Sequence, residues 1–173
     1  QRLMNLHLSN YSQSFREEIE DDPKTQAFLR TNAIKLAERR LDHYPDLLVK
    51  ITGLVNDNNP SVRFRVALAL STLNEQNTAQ HKTLIHNALK YIALQQNKDI
   101  WTTMAVAAAA KTFPLEFAEH LLRNEKTGNE NQQELIITMA RLVGQQHDPK
   151  QIQQLLLAFA KYPNITTKLK SAA

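Results

Sequence analysis

Apolar residues recur along this chain at three- and four-residue intervals, the spacing that stacks side chains on one face of an α-helix. Phe28, Leu29, Ala33, Leu36 and Ala37 form one such set, Leu47, Leu48, Ile51, Leu54 and Val55 a second, and Val62, Val66, Ala69, Leu70 and Leu73 a third. Leu84, Ala88, Leu89, Ile92 and Ala93 make a fourth, and Leu135, Ile136, Met139, Leu142 and Val143 a fifth. Polar stretches such as "NDNN", "NEKTGNEN" and "QQHD" separate the helical segments. The pattern predicts about nine helices of ten to eighteen residues and no strand.

Proline marks where helices begin. Pro23, Pro45, Pro60, Pro114 and Pro149 each precede a helical run, and proline suits the first turn, where its missing N–H has no partner to lose. Asp22, Asn59 and Asp148 stand just before three of these prolines and are predicted N-caps, because their side chains can accept from first-turn N–H groups.

Helices of similar length with recurrent turn chemistry prompt a search for repeats. "FLRTNAIKLAERRL" aligns with "SVRFRVALALSTL", Leu29 and Arg30 falling on Val62 and Arg63 at an offset of 33. "IWTTMAVAAAAKT" follows at an offset of 40, with Thr102 and Thr103 opposite the same pair. "KQIQQLLLAFA" reads as a weaker fourth copy, with Ile152 opposite Val62.

Composition supports the helical reading. The chain has 173 residues with three glycines and few aromatics, enough for one domain with a sizeable core and poor in the residues that β-folds use. Without cysteine there is no disulfide, thiolate metal site, thioether-linked haem or cysteine nucleophile. No apolar run approaches the roughly 20 residues that span a bilayer. A start at Gln1 rather than Met is what a processed protein, or a piece of a longer one, would show. The formal charge of +4 permits an acidic partner without requiring one.

The turn, proline, Val-Arg pair and Ala/Leu helix of "DNNPSVRFRVALALSTL" resemble the second helix of a HEAT repeat, a two-helix unit that stacks into a curved solenoid. A longer similarity runs through "AIKLAERRLDHYPDLLVKITGLVNDNNPSVRFRVALALSTL", "ALKYIALQQNKDIWTTMAVAAAA" and "ELIITMARLVGQQHDPKQIQQLLLAFA". In that order these segments resemble the armadillo-type HEAT-repeat region of the large membrane-bound dehydrogenase and haem-binding proteins of planctomycetes, from about Asn32 to Ala160. Those proteins carry a β-propeller before the repeats and a c-type cytochrome domain after them. No C-x-x-C-H motif and no β-rich segment is present here, so any haem c would belong elsewhere in a parent chain. Thr103 stands where the family pattern has an arginine, and the first ~30 residues match poorly. The resemblance implies a connecting or scaffolding segment in a periplasmic or membrane-associated setting.

Arg63 lies about 100° round the helix from Val62 and borders the buried stripe, with Asp57 a nearby acceptor. HEAT repeats use an arginine of this kind to bind turn carboxylates or carbonyls of an adjacent unit, so Arg63 is read as a structural element, and Arg30 inherits that reading. Lys35, Arg39, Arg40, Arg63, Arg65, Lys161, Lys168 and Lys170 can be drawn as a basic stripe for phosphates. Interleaved acids at Glu17, Glu18, Glu20, Asp21, Asp22 and Glu38, and the lack of aromatics to stack bases, favour solvated helix faces instead.

Among the histidines, His81 and His86 are five apart and point to different faces, while Glu116 and His120 share a face at i,i+4. Two ligands are too few for a closed zinc site. Trp101, the one tryptophan, reads as a wedge between repeats, with an interface anchor as the alternative. No nucleophile elbow, Walker loop or dinucleotide fingerprint is present, and the paired carboxylates lie in polar charge runs.

The expectation is therefore an all-α protein, a right-handed α-α superhelix of about four HEAT-like hairpins spanning 1–173: an N-terminal helix over about 1–22, repeats over 23–161 and a tail over 162–173. It would be a non-catalytic scaffold or protein-interaction module that links flanking domains, with no cofactor, metal or small-molecule substrate of its own. A basic nucleic-acid-binding solenoid is the alternative. Arg30, Arg63, Asp57, Pro60 and Trp101 are the structural and interaction candidates.

Overall fold

Nine α-helices account for most of the described residues, which are 22–95, 99–124 and 130–162 of a computed structural model. They are α1 (Pro23–Glu38), α2 (Pro45–Thr52), α3 (Pro60–Ser71), α4 (Glu75–Gln80), α5 (Lys82–Leu94), α6 (Ile100–Ala109), α7 (Pro114–Arg123), α8 (Glu130–Gln145) and α9 (Pro149–Lys161). A 3-10 turn, Gly53–Asn56, extends α2. The protein is all-α, with no strand among the described residues. The predicted N-terminal helix over 1–22 and the tail beyond Tyr162 fall outside those residues.

Local chemistry sets the helix starts. Each of the five prolines is the first residue of its helix. Asp22 accepts from Lys24 N at 3.3 Å and Thr25 N at 2.8 Å, Asn59 from Ser61 N at 2.9 Å, and Asp148 from Lys150 N at 2.9 Å. Two caps were not anticipated. Asn74 accepts from Asn77 N at 2.8 Å and so starts the short α4, and Asp99 accepts from Trp101 N and Thr102 N, both at 3.1 Å, to start α6.

Packing sorts the helices into two rows. In one, α1 lies on α3, α3 on α6 and α6 on α8; in the other, α2 lies on α5, α5 on α7 and α7 on α9. Apart from α4, which packs on α5, the chain alternates between rows as it proceeds. The core runs between them, through Leu48, Ile51, Val66, Leu70, Ile85, Leu89, Val106, Phe117, Leu121, Ile136 and Met139. Neither row buries its apolar stripe alone, so each helix depends on the row opposite and on its flanking neighbours.

The offset of 40 is a structural register. Asn59 and Asp99 are the equivalent caps, and Val62, Val66, Ala69 and Leu70 have buried counterparts in Thr102, Val106, Ala109 and Ala110. Small side chains on both helices let α3 and α6 approach closely.

Two expectations need correction. The segment assigned as a fourth copy of this helix is α9, which lies in the opposite row; the row-mate of α6 is α8. The reason is the alternation of rows along the chain: α9 follows α8 directly, through a tight turn in which His147 takes a left-handed φ of 53°. In α1 the predicted stripe is largely exposed, Leu36 at 77% and Leu29 at 48%, with Phe28 and Ala33 also outside. Ala27 and Ile34 are its buried residues. As the first helix of its row, α1 meets a described row-mate on one flank only.

Candidate functional site

Asp57, in the turn before α3, is the point on which two arginines converge. Its side chain is 8% exposed. Oδ1 accepts from Asn59 N at 2.8 Å and from Arg30 Nη2 at 3.3 Å, while Oδ2 lies 2.6 Å from Arg30 Nε. Arg63 binds the same turn through its backbone, Nη1 donating to Asp57 O at 2.6 Å and to Asn58 O at 3.1 Å. Pro60, exposed at the helix start, holds the φ that aims the first turn of α3 at this loop.

The two arginines do different jobs although they align in sequence. Arg63 reaches back to carbonyls of the turn that begins its own helix; Arg30 reaches forward from α1 to the carboxylate of the next turn. At the position equivalent to Arg63, α6 has Thr103, whose Oγ1 donates to Asp99 O at 3.2 Å, at the start of its own helix. The guanidinium clamp therefore belongs to the first part of the stack.

The basic stripe drawn from the sequence is interrupted. Arg63 is buried against carbonyls and Arg65 Nη2 pairs with Glu38 Oε2 at 2.6 Å. Lys35, Arg39, Arg40 and Lys161 are exposed, and Lys168 and Lys170 lie outside the described residues.

Trp101 corrects another expectation. It is not a wedge: it is 65% exposed, beside Ile100 at 60% and Met104 at 57%. The cap at Asp99 sets the rotation of α6 so that Thr102, Thr103, Ala105, Val106 and Ala109 face inward, leaving positions 100, 101, 104 and 108 outward. That face is entirely apolar. On α3 the same register puts Phe64 and Leu68 at the positions equivalent to Met104 and Ala108, and both are half-buried against the core. Arg39 and Arg40 after α1, Lys111 after α6 and Arg141 late in α8 are exposed near the C-terminal ends of the row, and none joins an ion pair among the described residues.

A second cluster joins α5 to α7. Lys82 pairs with Glu116 at 2.6 Å, and one turn on, His86 lies 5.9 Å from His120, ring centre to ring centre, with Phe113 at 5.4 Å and Phe117 at 5.7 Å from His86. Burial, then the Lys90 charge, lowers the pKa of His86; burial, then Lys90, His86 and Arg123, lowers that of His120 to about 4. Glu116 is thus committed to Lys82, and His120 is within hydrogen-bonding distance of Asn124 Nδ2. No group of three potential metal ligands occurs among the described residues.

The sequence did not single out Gln132, which is fully buried and donates from Nε2 to Leu121 O at 2.9 Å, tying α8 to α7. Nor did it single out Asp42, whose carboxylate accepts from Asn77 Nδ2 at 2.9 Å and Asn74 N at 3.2 Å. Their signal, a polar residue close to a helix start, is too common to stand out.

No protein-family model, curated protein or solved structure matches the chain.

Proposed function

We propose that the chain is a non-catalytic scaffold of HEAT-like helical hairpins that docks a partner protein on the outward face of α6. The observation that carries this reading is the exposed apolar set Ile100, Trp101 and Met104 on a helix whose opposite side is well packed. An isolated exposed leucine needs no explanation, but a cluster with tryptophan and methionine on a rigid element is the composition of an interface centre. The basic ends of the row supply one charged edge.

Its partner is an amphipathic helix with acidic flanks. Apolar anchors at i, i+3 or i+4 and i+7 would lie across α3, α6 and α8, and glutamates or aspartates would meet Arg39, Arg40, Lys111 and Arg141. The resemblance to the repeat region of dehydrogenase and haem-binding proteins gives the scaffold a setting, in which the partner is a flanking domain of a longer chain. The coding sequence on either side tests that parentage, which fails if it encodes neither a propeller nor a C-x-x-C-H motif.

Titration of a labelled amphipathic peptide with glutamate flanks tests the docking face. Saturable binding in the micromolar range is expected, weakened at least about tenfold by a Trp101→Ala/Met104→Ala double substitution. Equal affinity for the double variant, or preference for duplex DNA over the peptide at low ionic strength, sinks the reading.

A further inference from the structure

Helices α5 and α7, neighbours in one row, meet through rungs set one turn apart. Lys82 pairs with Glu116 at 2.6 Å, and four residues further along each helix the rings of His86 and His120 lie 5.9 Å apart. The histidine rung is built for neutral rings. His86 Nε2 is buried with no hydrogen-bond partner among the described residues, and its ring meets Phe113 and Phe117 at the edge. No free carboxylate stands ready to receive a second positive charge there: Glu116 is held by Lys82, and Glu119 by Arg123 at 3.4 Å. Lys82 and Lys90 on α5 and Arg123 on α7 add positive charge around the pair, against the pull of Glu116 on His86. Beyond these, α4 brings Glu75 to the cleft beside Lys82, the turn before α7 brings Lys111 there, and α9 brings Lys161 to the groove beside Glu116 and Arg123.

We propose that this rung is an acid-sensitive joint: protonation of His86 and His120 parts α7 from α5, and α7, α8 and α9 turn together about the packing of α8 on α6. The topology sets that path. Besides α5, α7 lies on α8 and α9, and α8 lies on α6 in the opposite row, so losing the α5–α7 seam leaves one connected body on each side of a remaining contact. A buried imidazolium without an acceptor, facing a second imidazolium, is unfavourable in the closed form and is relieved when water reaches both rings.

The sign follows from where each form binds protons. In the closed form burial and Lys90 hold both histidines below the ordinary 6.5, so at pH 7 both are neutral and the seam is shut. As pH falls below about 6.5, the open form takes up protons that the closed form refuses. With His120 at about 4 when closed, that residue alone favours opening about twentyfold more at pH 5 than at pH 7, and His86 adds in the same direction. Acid thus changes the bend of the stack at one seam, whatever α6 binds.

Relaxation-dispersion NMR on the full chain, read at the Phe113 and Phe117 rings and the α7 backbone, measures the open population directly. From pH 7 to pH 5 it is expected to rise at least about tenfold, with no matching rise in α3. Lys90→Gln, which removes a positive charge acting on both histidines, is expected to reduce that rise, and His86→Leu with His120→Leu to abolish it. An unchanged population at α7, a rise of the same size in α3, or a rise in Lys90→Gln as large as in the parent overturns the joint, as does a full rise in the double variant.

Discussion

Replacing Arg63 by alanine removes a guanidinium that holds two backbone carbonyls, so the cost can be worked from those contacts. Nη1 lies 2.6 Å from Asp57 O and 3.1 Å from Asn58 O, and the residue is 9% exposed. A bond from a charged donor contributes about 1.5–3 kcal/mol net, and the longer, shared one contributes toward the lower end of that range. Water entering the emptied space re-solvates part of the turn, which leaves a net loss of about 2–3 kcal/mol. For 173 residues each kcal/mol moves the midpoint by about 2–4 °C, so the variant should melt roughly 5–10 °C lower.

Helical circular dichroism followed against temperature and urea measures both quantities. A double-mutant cycle sharpens the assignment. Arg30 contacts the Asp57 carboxylate, so Arg30→Ala and Asp57→Asn should show clear coupling; Arg63 contacts carbonyls, so its coupling to Asp57→Asn should be smaller. An Arg63→Ala variant within about 0.5 kcal/mol of the parent would refute the clamp, as would the reverse order of couplings.

Three further outcomes follow from the same geometry. His86 and His120 bind protons less readily than an unfolded histidine, whose ordinary value is 6.5, so on acidification the unfolded state takes up protons first. Stability should be full above about pH 6.5 and fall between there and about pH 4, measured as urea midpoints, and His120→Leu should flatten the decline. Asp99→Ala removes the cap of α6 and should cost about 1–2 kcal/mol in chemical denaturation, whereas Asp99→Asn should retain most of it. Trp101→Ala should change stability by no more than about 0.5 kcal/mol; a loss of about 3–5 kcal/mol would restore the buried wedge.

What could be read from the sequence was what neighbouring residues decide among themselves. Proline and the caps Asp22, Asn59 and Asp148 act within a single turn, and each of these residues begins a helix as expected. The acceptors of Arg63 lie five and six residues away, which kept that contact within reach of the pattern. Leu29, Leu36 and Trp101 were different. Periodicity shows that a helix has an apolar face but not whether a neighbour covers it, and α6 is apolar on both sides, so its outward face was indistinguishable from its inward one. The row to which α9 belongs follows from which helices pack together across the chain, a long-range relation that local similarity to α3 does not carry.

The docking claim for α6 meets its most direct test in the fluorescence of Trp101, the one tryptophan in the chain and, at 65% exposed, the centre of the proposed face. Titrating the acid-flanked amphipathic peptide should shift its emission saturably to shorter wavelength as the indole leaves water, with a peptide of reversed flanking charge giving a weaker response. An emission spectrum that stays unchanged while the peptide binds, or that responds equally to both peptides, would contradict the account.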